Sequence, residues 1–522
     1  MSLTTRTFND FDTNSAPLSG DYIVGVCGDG SAEFRITVGS VSPYTEDGSH
    51  NIVSRNGCNS ASCVGASTIS GGYQNIIASA SGMSGGDTVA GGGSNCVEYS
   101  FGGANSVGGG HHNTIISNAG EGAPTISNTI AGGANNCIEV HTFSGYNTIG
   151  GGEGNRVKSC YSNACGNTIA GGIHNCTINS NCVVGATVGG GVFNSNSGYY
   201  CSTIAGGGFN YIEDAHATIG GGSDNSNSGY AGTIAGGRYN CVTDGWAGTI
   251  AGGQRNYVCG GSSTVGGGKY NSVGGEGGCC VHAGTIAGGG NNCATGDCST
   301  VSGGYNNTAA CNAATIGGGY NNFASSCRAS TIAGGHDNCI DTTHYSPTIG
   351  GGSHNYACGS LAVIAGGCAN CNCGYHGAIG GGAHNVIQNN NFSSVLGGCQ
   401  NTVEHNNAHV IGSNITTCQN DAAFVNKLVS YGQVRVQQGC WPTGGYTFGP
   451  DENGADTGLF SYNTATNGVS ANDGWVSLYS NAQEVLQAHD AAVQYIRIQD
   501  TTNGHTYNLQ VTNGAVHLTQ VA

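Results

Sequence analysis

Positive charge is nearly missing from this chain. Lys and Arg together number 12 among 522 residues, against 29 Asp and Glu, and charged residues of both signs make up 8%, where an ordinary soluble domain carries about 25%. With a formal net charge of −17 and no basic run to neutralise phosphates, no nucleic-acid partner is expected. No apolar stretch reaches the roughly 18 residues of a membrane-spanning helix, so no membrane insertion is expected. The opening Met1-Ser2-Leu3-Thr4-Thr5-Arg6-Thr7-Phe8 lacks the apolar core of a secretory signal, which points to synthesis in a cytoplasm without export by the general route. Catalytic patterns are missing as well. The Gly-Gly-Gly triplets are not followed by the Lys-Ser/Thr of a phosphate loop, and no pair of carboxylates recurs as a glycosidase site would require. The chain therefore reads as a protein without enzyme activity and without a cofactor.

What fills the space is an octapeptide, Thr-Ile-x-Gly-Gly-x-x-Asn. Thr203-Ile204-Ala205-Gly206-Gly207-Gly208-Phe209-Asn210 shows the unit, and its Thr returns at Thr218, Thr233, Thr249, Thr264, Thr285, Thr300, Thr315 and Thr331, in steps of 15 or 16 residues with one of 21. Upstream the unit starts at Thr68, Thr88, Thr129, Thr148, Thr168 and Thr187 with wider steps, and downstream it decays to Val363-Ile364-Ala365-Gly366-Gly367 and Ala378-Ile379-Gly380-Gly381-Gly382. Helical repeats need about 33 to 47 residues per unit, and Gly, Asn, Ser and Thr disfavour helix interiors. Two short strands and two tight turns do fit. The fold expected is all-β, a β-solenoid (β-roll or β-helix) of about twenty rungs of roughly 15–20 residues, each contacting only its neighbours. At about 4.8 Å per rung the stack spans roughly 95 Å.

Each position of the unit has a physical task. Period-two alternation sends the Ile column (Ile204, Ile219, Ile234) inward and the Thr column outward. The Gly pair allows positive φ and close backbone approach. The Asn seven residues after the Thr (Asn210, Asn225, Asn240 and their equivalents) is expected to take the left-handed conformation of a turn and to bond the same amide one rung away, as a structural ladder. So thin a core, flanked by Gly-Gly faces, favours closely packed chains in a cyclic homo-oligomer.

Other columns have more than one reading. Several of the 26 Cys follow the ladder Asn directly (Cys96, Cys137, Cys176, Cys241, Cys293, Cys339, Cys371), and Cys165, Cys201, Cys298, Cys311 and Cys327 precede a Thr. They read as small apolar residues filling turns, with cross-rung disulfides as an alternative. Cys368-Ala369-Asn370-Cys371-Asn372-Cys373 has zinc-like spacing without a second matching pair, and no metal site is expected. His112, His174, His354 and His384 form a partial column before the ladder Asn and read as exposed turn residues. Tyr73, Phe193, Phe209, Tyr239, Tyr270, Tyr305 and Tyr320 stand at the same turn, suited to packing between rungs or chains, or to stacking on sugars.

The repeat gives way at both ends, and the expected domains are 1–46, 47–423 and 424–522. Asp21–Val26 and Ala32–Val38 read as strands joined by Cys27-Gly28-Asp29-Gly30. After residue 423 the runs lengthen, as in Gln433–Val436 and Tyr495–Ile498, and Trp441 and Trp475 appear. Tyr446-Thr447-Phe448-Gly449, Asp456-Thr457-Gly458-Leu459-Phe460, Val476–Asn481 and Glu484-Val485-Leu486 resemble the distal segments of bacteriophage tail-fibre and related virion fibre proteins. Gly28–Ile36 resembles the virion-attachment ends of phage structural proteins. The repeats are similar in style to the β-roll heads of trimeric autotransporter adhesins, although their Thr-Ile-x-Gly-Gly-x-x-Asn unit differs from the Ala-Ile-Gly motif usual there. These resemblances imply a homotrimeric fibre on a virion surface. Its N-terminal end would dock to a virion or tail component and its C-terminal end would meet a host surface glycan or protein, with Trp441, Trp475 and Tyr446 as tip candidates and Tyr239, Tyr270, Tyr305 and Tyr320 as shaft candidates. A structural filament or adhesin without a specific receptor is the main alternative. An ice-binding solenoid is a lesser one, since the outward pattern is Thr-x-Ala, Thr-x-Gly or Thr-x-Ser in place of Thr-x-Thr.

Overall fold

The computed structural model describes residues 58–426, apart from 63–64, 80–85, 100–102, 119–126, 142–144, 160–165, 180–184, 275–280, 327 and 344. Beyond these it describes strands at 22–26, 33–37, 44–46 and 52–54, and eight more between 444 and 521. No helix occurs among the described residues. The chain divides into two compact units, Met1–Lys427 and Leu428–Ala522.

The first unit is a parallel β-solenoid of about twenty rungs. Every rung contributes one strand to each of two sheets, and rungs pair in strict register: Thr203 opposite Thr218, Ile204 opposite Ile219, and Thr218 opposite Thr233 in turn. Most strands of the first sheet are only two residues long, Thr-Ile or Thr-Val, because β-branched residues favour the pleat and the Gly pair ends it. In the second sheet the early strands run to four or five residues, as in Ile76–Ser79 and Cys137–His141, and shrink to two or three from Ser195–Asn196 onward. Longer second strands contribute to the wider early spacing of the Thr. At the N-terminal end Ile52–Ser54 runs parallel to the first Thr-Ile strand and antiparallel to Tyr44–Glu46. Tyr22–Val26 pairs antiparallel with Glu33–Thr37.

The core is two columns of inward side chains, Ile or Val throughout the first sheet and mostly Ile, Val or Ala in the second, where Thr177, Asn196, Asn227 and Asn372 interrupt it. Ile204, Ile219 and Ile234 of the first sheet are completely buried, facing Ile212, Val242, Val258 and their equivalents from the second. The Thr column lies outward and half-buried. Ile and Thr therefore face as their alternation predicts.

The Asn ladder is present, with one correction. Asn225 is buried, and its Oδ1 accepts the Asn240 backbone N–H at 3.0 Å. Its Nδ2 donates to Asn210 Oδ1 at 3.1 Å, to Gly221 O at 3.1 Å and to Gly237 O at 3.0 Å. It does not take the left-handed conformation. That falls to the residue before it, such as Phe209 (φ 57°), Asp224 (φ 56°) and Tyr239 (φ 56°), because a side chain that points inward to bond both neighbouring rungs leaves the chain reversal to its predecessor. A second buried ladder runs beside the first sheet: Asn128 donates to Asn105 Oδ1, Asn147 to Asn128 Oδ1, and Asn167 to Asn147 Oδ1, at 3.0–3.1 Å.

This second ladder begins on Asp87, whose Oδ1 accepts from the backbone N–H of Asn105 at 2.8 Å. Burial pushes the Asp87 carboxyl above its ordinary value of 3.8, outweighing the Asn105 hydrogen bonds that pull it down. A raised carboxyl pKa means that the charged form costs stability above the folded-state pKa, and that the cost is relieved as pH falls through it toward the unfolded value. Asp87→Asn continues the ladder without a charge. It is expected to raise the unfolding midpoint at pH 7, with the gain shrinking as pH approaches 4; thermal melts at both pH values check this.

Close stacking also dictates the glycines. Gly222 has φ +89°, and a Cβ there would lie 2.0 Å from the carbonyl oxygen of Gly237 in the next rung, whereas a Cβ on Gly236 would meet nothing within 4 Å. Gly222→Ala is expected to cost about 2 kcal/mol or more, while Gly236→Ala stays within about 0.5 kcal/mol of the parent in denaturant titration. The position before the pair alternates from Gly108 through Ala131, Gly150, Ala170, Gly189, Ala205 and Gly220 to Ala235. A Cβ on Gly220 would sit 2.4 Å from Ala235 O, so over this stretch successive rungs are not equivalent and the true repeat is two rungs.

The second unit contains an antiparallel hairpin, Gly444–Thr447 with Leu459–Tyr462, and a six-stranded antiparallel meander from Gly468–Asn472 to Ala515–Val521.

Candidate binding edges

After the Gly pair, each rung turns through two residues whose backbone N–H groups are both hydrogen-bonded to neighbouring rungs. The first makes a single parallel bridge to its equivalents above and below, as in Tyr305 with Tyr320 and Tyr320 with His336. The second, left-handed, donates its N–H to the bridging residue one rung earlier, as Phe209 does to Val192 O at 2.9 Å. These backbone bonds and the buried ladder Asn hold the turn, so the side chains of its two residues are free to face solvent. The aromatics predicted at this turn are there: Tyr305 and Tyr320 at the bridge position, Tyr239 and Tyr270 at the left-handed one, all exposed, Tyr305 by 52%.

Register brings rings on neighbouring rungs into contact. Phe193 stacks on His174 at 5.0 Å and on Phe209 at 5.2 Å, and Tyr305, Tyr320 and His336 stack in sequence at 5.8 and 5.1 Å. Between these runs the scarce cations gather. Arg238 lies 4.7 Å from the Tyr239 ring centre, Arg255 5.4 Å from Tyr239 and 5.3 Å from Tyr270, and Lys269 5.1 Å from Tyr270. Such contacts are individually modest. Arg238 Nη2 also donates to the Tyr239 hydroxyl at 3.2 Å and Arg255 donates to that of Tyr270, while Asp224 stands 3.8 Å from Arg238. The result is a basic, aromatic strip on an acidic chain.

The opposite turn carries a second row that the sequence reading passed over. Tyr200, His216, Tyr230 and Trp246 succeed one another at 6.1, 5.4 and 4.9 Å, and Trp246 is 72% exposed. Farther along, His376 stacks on Phe392 at 5.1 Å beside Tyr375. The signal was their spacing of 14 to 16 residues, in step with the Thr.

The post-Asn Cys side chains do not fill turns. Cys96, Cys137, Cys176, Cys241, Cys339 and Cys371 open strands of the second sheet as half-buried free thiols. Burial raises their thiols, Cys176 and Cys339 to about 11, which makes them inert packing groups. Cys201 and Cys298 are exposed at the second turn, Cys311 is buried, and Cys165 and Cys327 lie outside the described residues. A cross-rung disulfide joins Cys358 and Cys373, 15 residues apart with Cα atoms at 4.5 Å, and Cys259 is disulfide-bonded as well. Cys371 Sγ lies 3.9 Å from Cys373 Sγ, so of the three sulfurs that converge here two are spent on the bond. His336, Asp337 and His354 also converge.

Of the tip candidates, Tyr446 and Trp475 fall in the strands Gly444–Thr447 and Trp475–Ser480, and Trp441 lies outside the described residues. A scan against protein-family models finds no match, and a search of curated proteins finds none either.

Proposed function

We propose that this chain is a fibre protein of a virus particle, a homotrimeric spike on a phage or related virion whose repeat region is the shaft and which adheres to glycans on the host surface. In this reading residues 1–46 join a virion or tail component, and residues 424–522 form the outward tip, to which Trp441, Trp475 and Tyr446 contribute. The observation that carries the adhesive part is the strip from Arg238 to Tyr270, in which exposed rings and cations repeat at rung spacing, taken up again by Tyr305 and Tyr320 after one rung whose turn is Gly290-Asn291. Rings of this kind stack on sugar faces, and Arg and Lys between them favour acidic saccharides. A flexible surface would lose much of such binding to ordering entropy; a solenoid presents the groups already in line. The trimer is supported by the thinness of the core, one or two apolar side chains in most strands, and by glycines such as Gly236, where a Cβ would meet nothing within 4 Å. A net charge of −17 suits a surface that must stay soluble.

The test is an array of polysaccharides probed with the full chain, with light scattering on the same sample. The expected result is the mass of three chains and retention on acidic saccharides, reduced at least about tenfold when Tyr239, Tyr270, Tyr305 and Tyr320 are replaced by Ala, a loss of about 1.4 kcal/mol. Retention on no saccharide, or retention unchanged by the four replacements, overturns the adhesive role; a monomer overturns the trimer.

A further inference from the structure

His336, Asp337 and His354 lie on the first-turn edge, at the end of the Tyr305–Tyr320 stack. His336 occupies the bridge position of one rung, Asp337 the left-handed position beside it (φ 53°), and His354 the left-handed position of the next rung (φ 56°). The backbone fixes all three: His336 N–H donates to Gly352 O at 2.9 Å, Asp337 N–H to Tyr320 O at 3.0 Å, and His354 N–H to His336 O at 3.0 Å.

Their side-chain atoms point at one another. Asp337 Oδ2 is 3.1 Å from His336 Nε2 and 3.4 Å from His354 Nε2, with one donor atom of each residue within 4.8 Å of the others. Around a tetrahedral ion with bonds of about 2.0–2.1 Å, donor atoms lie roughly 3.3 Å apart. Two of the remaining polar atoms are anchored. His354 Nδ1 is 2.6 Å from Ser353 Oγ, and Asp337 Oδ1 accepts from Asn321 Nδ2. The His336 ring lies stacked on Tyr320, 5.1 Å away at 22°. Outer hydrogen bonds that orient imidazole and carboxylate in this way accompany metal sites generally. An ordinary surface ion pair needs one imidazole per carboxylate; here two aim Nε2 at the same oxygen, bringing three donors to one point.

We propose that His336, Asp337 and His354 bind a divalent transition-metal ion of the zinc type. Two imidazoles and one carboxylate suit zinc and its late first-row neighbours and are poor for Mg²⁺ or Ca²⁺, which prefer oxygen alone. Both His are exposed, so the fourth position faces outward and takes water or a donor group from an approaching ligand. The site stands independently of the fibre reading.

Calorimetric titration of the full chain with Zn²⁺ tests it. His336→Ala and His354→Ala should each bind one Zn²⁺ per chain fewer than the parent. His384→Ala, a change at the same turn position as His354 but outside the cluster, should bind as many as the parent. Ala already occupies this left-handed position at Ala369 (φ 52°), so His354→Ala should melt like the parent without metal. Equal stoichiometry in the parent and the His354→Ala protein, an equal loss from His384→Ala, or no binding by the parent overturns the site.

Discussion

Asn307→Leu is expected to destabilise the shaft by about 4 kcal/mol, while Asn306→Ala, one residue away, costs about 1 kcal/mol or less. Asn307 is buried and Asn306 is half-buried at the left-handed position (φ 58°). The Asn307 Nδ2 donates to Asn292 Oδ1 at 3.1 Å and to Gly303 O and Gly319 O at 3.0 Å. Its Oδ1 accepts the Asn322 backbone N–H at 3.1 Å and the Asn322 Nδ2 at 3.0 Å. Leu has a similar size but satisfies none of these groups, and each buried donor or acceptor left without a partner costs about 1–3 kcal/mol. Asn306→Ala loses two bonds at the surface, from Asn291 Nδ2 at 3.2 Å and to Asn321 Oδ1 at 2.6 Å, and some preference for positive φ. Denaturant titration of the two variants checks the contrast; equal costs would show that the ladder is not what holds adjacent rungs together at this turn.

The second large effect is at Ile234. Ile234→Asp is expected to cost at least about 5 kcal/mol, since it deletes a fully buried apolar side chain and places an unpaired carboxylate in the core. Each rung contacts only its neighbours, so the damage should stay local and split one cooperative unit into two. Amide hydrogen exchange would then show lost protection in the rungs around Thr218, Thr233 and Thr249, with the rungs near Thr68 and Thr348 still protected. Thr233→Ser, on the half-buried outer side of the same strand, should change stability by less than about 1 kcal/mol. Similar losses of protection in both variants would contradict the facing of this sheet.

Facing and stacking were legible in the sequence because they depend on one kind of residue at one position: the place of Ile204, Ile219 and Ile234 is Ile or Val in every rung, and Asn210, Asn225 and Asn240 recur with it. What stayed hidden depends on relations between rungs. Which of two adjacent Asn enters the ladder, as in Asn306-Asn307, is decided by the turn backbone, and both residues suit either place. Asn105, Asn128, Asn147 and Asn167 form a ladder only once rungs of different length are aligned on the Thr. The row from Tyr200 to Trp246 escaped because its turn lacks the Gly pair that marks the other. Cys358 and Cys373 are one rung apart but stand three residues after their ladder Asn, outside the column that follows it directly. His336, Asp337 and His354 belong to different positions of two rungs, and the column of His residues alone does not contain the triad.

The central claim is that residues 66–414 stack as parallel rungs along one axis. Frozen-hydrated electron images of the full chain test it directly. The account predicts a rod-shaped section roughly 95 Å long with an axial repeat of about 4.8 Å running along its length. A compact particle without that section, or a 4.8 Å spacing running across the rod, would contradict it.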